Sequence, residues 1–347
     1  MTFLDNSNLE RLRHLIDYPD LSGTPYTMVR KVATGGMGTV FVVDDTRLHR
    51  AVALKVLTIP DDTGALSERM IREAQTVAQL EHPGIVPIHE VGRLADSRVY
   101  YTMKYVEGQT LAEHPRHPDD LPAMLRVVQR VCEAVAFAHA RGVIHRDIKP
   151  SNMMLGAFGE VLVMDWGIAA WRLPDTPPDR SREHGPDQPA GSTADGALSG
   201  TPTYMSPEQA AGDGSAVDAG SDIYSLGAVL YFVQTGRGPF DDVSGDSIRK
   251  AVVNGEFPPP RRLDRRLDRR LEAICMKAMA LNKTVRYQSA VELSDDITRW
   301  LDGCPVTAYR DHLWERSARW VGRHQFIVLI ILAYILVRFF ILFLLGY

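Results

Sequence analysis

His145-Arg146-Asp147-Ile148-Lys149-Pro150-Ser151-Asn152 is the stretch on which the reading of this chain turns. It follows residues 124–141, whose apolar spacing is helical. A carboxylate (Asp147), an ammonium (Lys149) and an amide (Asn152) therefore share one short segment beyond a helix. Eighteen residues after Asp147 comes Asp165, in Met164-Asp165-Trp166-Gly167, at the end of the apolar run 161–164. Carboxylate and amide oxygens on loops suit a hard divalent cation, and a separate carboxylate can accept a hydroxyl proton. These are the groups that phosphoryl transfer needs.

Working toward the N-terminus, residues 26–103 read as short β runs, 39–43, 51–57 and 99–103. One helix interrupts them, residues 67–80, with Met70, Ala74, Val77 and Ala78 at helical spacing. Residues 33–40, ATGGMGTV, lie between β runs. A glycine-rich hairpin is either a plain turn or a place where backbone amides approach phosphates closely. Lys55, in VALKVL, sits at a strand centre, where an ammonium is costly without a partner. Glu73, in the middle of the helix, can supply one.

In this order the pieces resemble the protein kinase signature set. Residues 200–210 (GTPTYMSPEQA) and 221–231 (SDIYSLGAVLY) are similar to those of the bacterial, Hanks-type transmembrane serine/threonine kinases. The resemblance covers residues 26–302 and implies an α+β, bilobed protein kinase fold: a small β-rich lobe over 26–106 and a large helical lobe over 107–302. It implies a Ser/Thr-directed, ATP-dependent activity on proteins, with Mg2+ as the metal and Mn2+ as its alternative. Ala33, Gly35, Gly36 and Gly38 then cover the ATP phosphates. Lys55 holds them, tethered by Glu73. Asp147 takes the hydroxyl proton, Lys149 faces the γ-phosphate, and Asn152 and Asp165 bind the metal. Val40 and Ala53 pack over adenine, the backbones of Lys104 and Val106 meet its edge, and Met103 guards the pocket. Glu208 with Arg286, and Asp222 beneath the catalytic loop, are expected to be structural.

The sequence departs from the pattern twice. Ala33 replaces the first loop glycine, which is expected to weaken ATP binding slightly. Trp166 replaces the usual Phe; its indole needs smaller neighbours and a partner for its N–H.

Other features place the domain. Lys and Arg number 39 and Asp and Glu 43, a net charge of −4, and no nucleic-acid partner is expected. The three cysteines have no zinc spacing, and Cys132 and Cys275 read as core residues. Residues 1–25 read as a polar leader containing one short helix. Residues 172–197, rich in Pro, Asp, Gly and Ser, read as a mobile loop. Within the wider loop, Ser192, Thr193, Ser199 and Thr201 are candidate phosphate acceptors for Arg146, with Thr193 and Ser199 preferred. Self-association for autophosphorylation in trans is the accompanying expectation. Residues 261–270, RRLDRRLDRR, read as one solvated basic helix with Leu263 and Leu267 inward.

Residues 326–345 are Leu, Ile, Phe or Val at seventeen of twenty positions. At about −0.3 to −0.6 kcal/mol each, these outweigh the roughly +3 kcal/mol cost of Arg338. A transmembrane helix is expected there, after a basic juxtamembrane segment, 303–325, that carries Arg310, Arg316, Arg319, Arg323 and His324 along with Trp314 and Trp320. The basic flank predicts a C-terminal anchor with the kinase in the cytoplasm and no extracellular sensor domain. Two other classes compete with an active kinase: a membrane-bound pseudokinase that senses ATP, and a small-molecule phosphotransferase.

Overall fold

The computed structural model describes residues 18–35, 38–58, 61, 63–115, 120–166, 170–171, 202–245, 247–310 and 325–344. The small lobe is an antiparallel sheet of β1 (Tyr26–Thr34), β2 (Gly38–Asp45), β3 (Arg50–Leu57), β4 (Ile88–Arg93) and β5 (Val99–Lys104), in the order β1-β2-β3-β5-β4. Between β3 and β4 runs α1 (Ala65–Ala78), two residues earlier at each end than its apolar spacing predicts. The Asp61 carboxylate accepts the Ser67 amide at 2.7 Å, satisfying one of the donors a helix start leaves free. The sheet buries both faces. One packs Phe41, Val43, Leu54 and Tyr100 under Tyr18 and Leu21, so residues 18–21 lie against the lobe. The other packs Leu57, Tyr101 and Met103 against Met70 and Ala74 of α1.

The large lobe follows: β6 (Gly108–Thr110), α2 (Leu121–Ala140), β7 (Val143–Ile144), β8 (Met153–Gly156), β9 (Val161–Val163) and β10 (Ala170–Trp171), then helices α3 (Pro207–Ala211), α4 (Ala219–Thr235), α5 (Ser247–Asn254), α6 (Pro260–Leu263), α7 (Arg269–Ala278) and α8 (Ala290–Leu301). α4 is the buried axis. An Asp218–Ser221 capping box opens it, and Gly236, at a φ of 82°, closes it where a side chain would be strained. Its neighbours α2, α7 and α8 complete a core that holds Cys132 and Cys275 as plain buried residues. The lobes join through backbone: Val163 N–H donates to Gly84 O at 2.8 Å, and Val86 N–H to Val163 O at 3.3 Å.

The basic repeat is not one helix. α6 stops at Leu263 and α7 starts at Arg269. The reason is the aspartate in each repeat. Asp264 accepts the Arg266 amide at 2.9 Å and Asp268 the Arg270 amide at 2.7 Å. Such local bonds compete with helix and favour turns and caps. Leu263 and Leu267 are half-buried as expected, but so are Arg261 and Arg270.

Residues 306–309 are held to the lobe. Buried Asp296 of α8 accepts the Thr307 amide and hydroxyl at 2.8 and 2.6 Å and the Ala308 amide at 3.1 Å. Val306 is buried beside them. Gln325–Leu344 forms the last helix, α9. Among the described residues no helix is long and apolar enough to cross a membrane.

Candidate active site

The site lies between the lobes, and its parts come from the ends of regular elements. β3 carries Lys55 into the interior, where its Nζ donates to Glu73 Oε1 at 2.8 Å and to Asp165 Oδ1 at 2.9 Å. Burial presses against the ammonium. Tyr101, Glu73 and Asp165 around it outweigh that and hold its pKa well above the usual lysine value. Asp165 sits just past β9 with its side chain partly open to solvent, and Lys55 beside it keeps the carboxyl below the usual range. The expected partnership of Lys55 and Glu73 is thus present, and Asp165 completes it.

The second cluster is the segment after β7. Asp147 Oδ2 accepts Lys149 Nζ at 2.8 Å and Asn152 Nδ2 at 3.1 Å; the same amide nitrogen also donates to Asp147 O at 2.8 Å. Burial raises the pKa of the Asp147 carboxyl, and the bond from Lys149 opposes that rise. The two clusters are tied by backbone, Met164 N–H donating to Asn152 O at 2.9 Å. Of the four non-glycine residues with positive φ among those described, two lie here: Arg146 at 69° and Asp165 at 60°. Strained backbone of this kind persists where the surroundings over-determine it.

Asp222, at the start of α4, does that for Arg146. It is fully buried and accepts the His145 and Arg146 amides, both at 2.8 Å, and His139 Nε2 at 2.7 Å. Burial works against its charge, and His139, His145 and the Arg146 amide keep its pKa low. His145 in turn bonds Met164 O through Nε2 at 3.1 Å and lies tilted at 44° against Trp166, ring centres 4.4 Å apart. Trp166 shares its apolar cluster with the smaller Val77, and its N–H reaches Val163 O at 3.4 Å. The expected needs of the larger indole are met.

Around the hairpin, Ala33 pairs with Val40, and Gly35 N–H donates to Gly38 O at 2.9 Å. A Cβ on Gly38 would lie 2.5 Å from Val56 O, so no side chain fits. Gly36 lies outside the described residues, as do Ser192, Thr193, Ser199 and Thr201. Ala53, Met103 and Val106 are buried and Val40 half-buried. The Lys104 amide is used by Pro87 O at 3.1 Å.

A divalent cation fits this donor set. Asp165 spends one oxygen on Lys55, and Asn152 spends its nitrogen on Asp147, which leaves one carboxylate and one amide oxygen. Two such ligands, with substrate phosphates supplying others, is the arrangement Mg2+ takes at nucleotide sites. Among the described residues no group of three or more His, Cys, Asp or Glu could hold a metal alone.

Three residues here carried no expectation. Tyr101 OH donates to Glu73 Oε1 at 2.7 Å. His139 braces Asp222. Gln209 Nε2 donates to Arg146 O at 2.7 Å. Tyr101 alone left a trace in the sequence, since it alternates with Val99 and Met103 on the face of β5 that meets α1.

A small lobe of five antiparallel strands and one helix over a helical large lobe, with the site at their junction, defines the protein kinase class. The family model described as the protein kinase domain matches residues 26–290, and the chain belongs to that family. It is 39% identical over 291 residues to the serine/threonine-protein kinase PknB of Mycobacterium tuberculosis, spanning 82% of this chain and 44% of that protein. It is 34% identical over 302 residues to PknD of Protochlamydia amoebophila, spanning 80% of this chain and 30% of that one. The chain thus spans less than half the length of these relatives. The crystal structure of the Mycobacterium tuberculosis PknI kinase domain superposes with a TM-score of 0.57 at 26% identity, covering 79% of this chain and 96% of that one.

Proposed function

We propose that this chain is an ATP-dependent protein serine/threonine kinase that works at a membrane surface. One observation carries the catalytic part. Lys55 bridges Glu73 and Asp165, while a separate carboxylate, Asp147, is held by Lys149 and Asn152. The first group can hold nucleotide phosphates, and the second can take the proton of an incoming hydroxyl. When bound through Asp165 and Asn152, Mg2+ supplies charge neutralisation at the phosphates.

In this reading Gly35, Gly36 and Gly38 bring backbone amides to the phosphates, and Val40, Ala53 and Val106 enclose the base. Lys149 holds Asp147 ionised and then faces the transferring group. Protein substrates with Ser or Thr acceptors are the partners, and the activation segment of a second copy is one of them. Arg146 supports that last point: its Nε is buried with no partner among the described residues, and a phosphate would satisfy it.

The membrane part rests on residues 326–345, on their basic flank and on the 20-residue helix α9. It puts the catalytic domain in the cytoplasm, on a short tether that Asp296 shortens further by holding residues 306–309.

The test is incubation of the purified chain with labelled ATP, Mg2+ and a generic protein acceptor. Label on Ser or Thr is the expected result. Nucleotide binding without transfer would make the chain a binding module instead. Cell fractionation decides the anchor: the whole chain should sediment with membranes, and a version ending at residue 324 should not.

A further inference from the structure

We propose that Tyr101 is a positioning residue for phosphotransfer, fixing Glu73, and through it Lys55, by donating its hydroxyl to Glu73 Oε1. The proposal rests on the kinase reading of the same site. Tyr101 stands directly opposite Lys55 in the β3–β5 ladder, and its ring centre is 5.6 Å from Lys55 Nζ. The side chain crosses from the sheet to α1 and reaches Glu73 Oε1 at 2.7 Å, the same oxygen that Lys55 meets at 2.8 Å.

That oxygen bears the whole load. Glu73 is 5% exposed, and its other oxygen, Oε2, is buried with no hydrogen-bond partner among the described residues. A buried carboxylate is thus held by two donors on one atom, one from each neighbouring strand of the sheet. The two donors differ in permanence. Lys55 also serves Asp165, and a bound nucleotide would take a further share of its protons. Among the described residues the Tyr101 hydroxyl has no second hydrogen-bond partner. Burial also holds its pKa well above the usual tyrosine value, so it stays a donor throughout the working pH range.

A packing role alone would not require the hydroxyl. Tyr101 lies in the cluster of Leu57, Met70, Ala74 and Met103, where a plain ring would fill the same space. In that apolar setting the hydroxyl is desolvated and its partner is Glu73. A hydrogen bond to a buried charge contributes more than one at a surface. The bond ties α1 to the strand that leads into the hinge, so the position of the helix and the nucleotide site are set together.

Tyr101→Phe keeps the ring and removes the bond. We expect the KM for ATP to rise about threefold to tenfold with kcat within about twofold, the size of one lost hydrogen bond. Amide exchange in α1 of the nucleotide-free chain should speed up while the large lobe is unchanged. If Tyr101 acts through Glu73, Tyr101→Phe combined with Glu73→Gln should be no worse than Glu73→Gln alone. A wild-type KM with unchanged α1 exchange overturns the proposal, and so do losses that multiply in the double variant. If the Phe variant does not fold, Tyr101→Met, whose flexible thioether fills similar space, supports the same comparison. A wild-type chain that transfers no phosphate would defeat the kinase reading, while the exchange experiment would still decide the role of Tyr101.

Discussion

Each lobe buries an ion pair between a cation and a glutamate distant in sequence, Lys55–Glu73 and Arg286–Glu208, and the two are built to different standards. In the large lobe, Arg286 is completely enclosed and meets Glu208 with both ends of its fork, Nη1 to Oε1 at 2.9 Å and Nη2 to Oε2 at 3.0 Å. Carbonyls of Ala280, Gly220 and Leu281 take its other hydrogens, and Ser221 donates to Glu208 Oε1 at 2.6 Å. In the small lobe, Lys55 shares one oxygen of Glu73 with Tyr101, leaves the other without a partner among the described residues, and divides itself with Asp165, whose side chain is 46% exposed. The saturated pair has nothing to offer a ligand. The unsaturated one can exchange partners, which the phosphate-binding role proposed for Lys55 requires. On that proposal, buried charge serves structure in one lobe and chemistry in the other.

The sharpest way to break this contrast is to remove the two cations in turn. Lys55→Met should lower the phosphotransfer rate by about two orders of magnitude or more, comparable to losing a catalytic group, with a smaller loss of melting temperature than Arg286→Met, because Tyr101 still donates to the Glu73 it leaves behind. Initial rates and a thermal melt on one preparation decide it. A large drop in melting temperature with the rate retained would reverse the assignment.

Arg286→Met should do the opposite. It strands a buried carboxylate, which typically costs about 3–5 kcal/mol, and urea unfolding would read the loss directly. The pair also carries a pH signature. Burial alone would raise the pKa of Glu208, but Arg286 and Ser221 pull it down to about 2. A carboxyl whose folded pKa is depressed adds stability above its unfolded value, and that stability is lost as pH falls toward about 2. Acid unfolding of the wild type should therefore be steep between those limits and flatter in Arg286→Met.

How far the sequence could show this depends on where the information lies. Asp147, Asn152 and Asp165 are legible because the residue types and spacing that the proposed chemistry needs fall within one stretch of chain, and Lys55 because its charge interrupts an apolar strand. Glu73 is legible because a strand-centre lysine needs a partner and the following helix holds a glutamate mid-turn. Tyr101 was not, because an aromatic residue on a buried strand face reads as packing, and only the approach of α1 gives its hydroxyl a purpose. The break at Asp264 was missed for a related reason. A four-residue repeat has helical period, and the choice of an aspartate between helix and turn depends on neighbours that periodicity does not record. The hold of Asp296 on residues 307 and 308 joins segments whose contact only the fold creates.

A smaller effect lies within the second cluster. Lys149 donates to Asp147 and opposes the rise that burial imposes on its carboxyl. The base must be ionised to accept a proton, so the rate should fall on the acid side as Asp147 protonates. Lys149→Met removes the opposing group, and the acid limb should move to higher pH, in addition to any loss at the plateau. Rate against pH for both proteins measures the displacement. An acid limb that stays in place would mean that Lys149 does not govern the charge of Asp147.

The smallest expected effect concerns Trp166, which belongs to both regions, since it lies beside Asp165 yet packs in the core of the large lobe. Trp166→Phe removes part of a fully buried indole and leaves a cavity among Val77 and its neighbours, a change of about 1–2 kcal/mol in stability. The hydrogen bond it gives up is a long one, 3.4 Å to Val163 O, and adds little. Activity should stay within about threefold, because the catalytic loop keeps its other ties. His145 still meets Met164 O, and Asp222 still takes the His145 and Arg146 amides. Melting and rate measured together separate the outcomes. If the rate fell tenfold while stability barely moved, the contact of Trp166 with His145 would be part of the catalytic apparatus, and the division between a structural and a chemical region would fail at this residue.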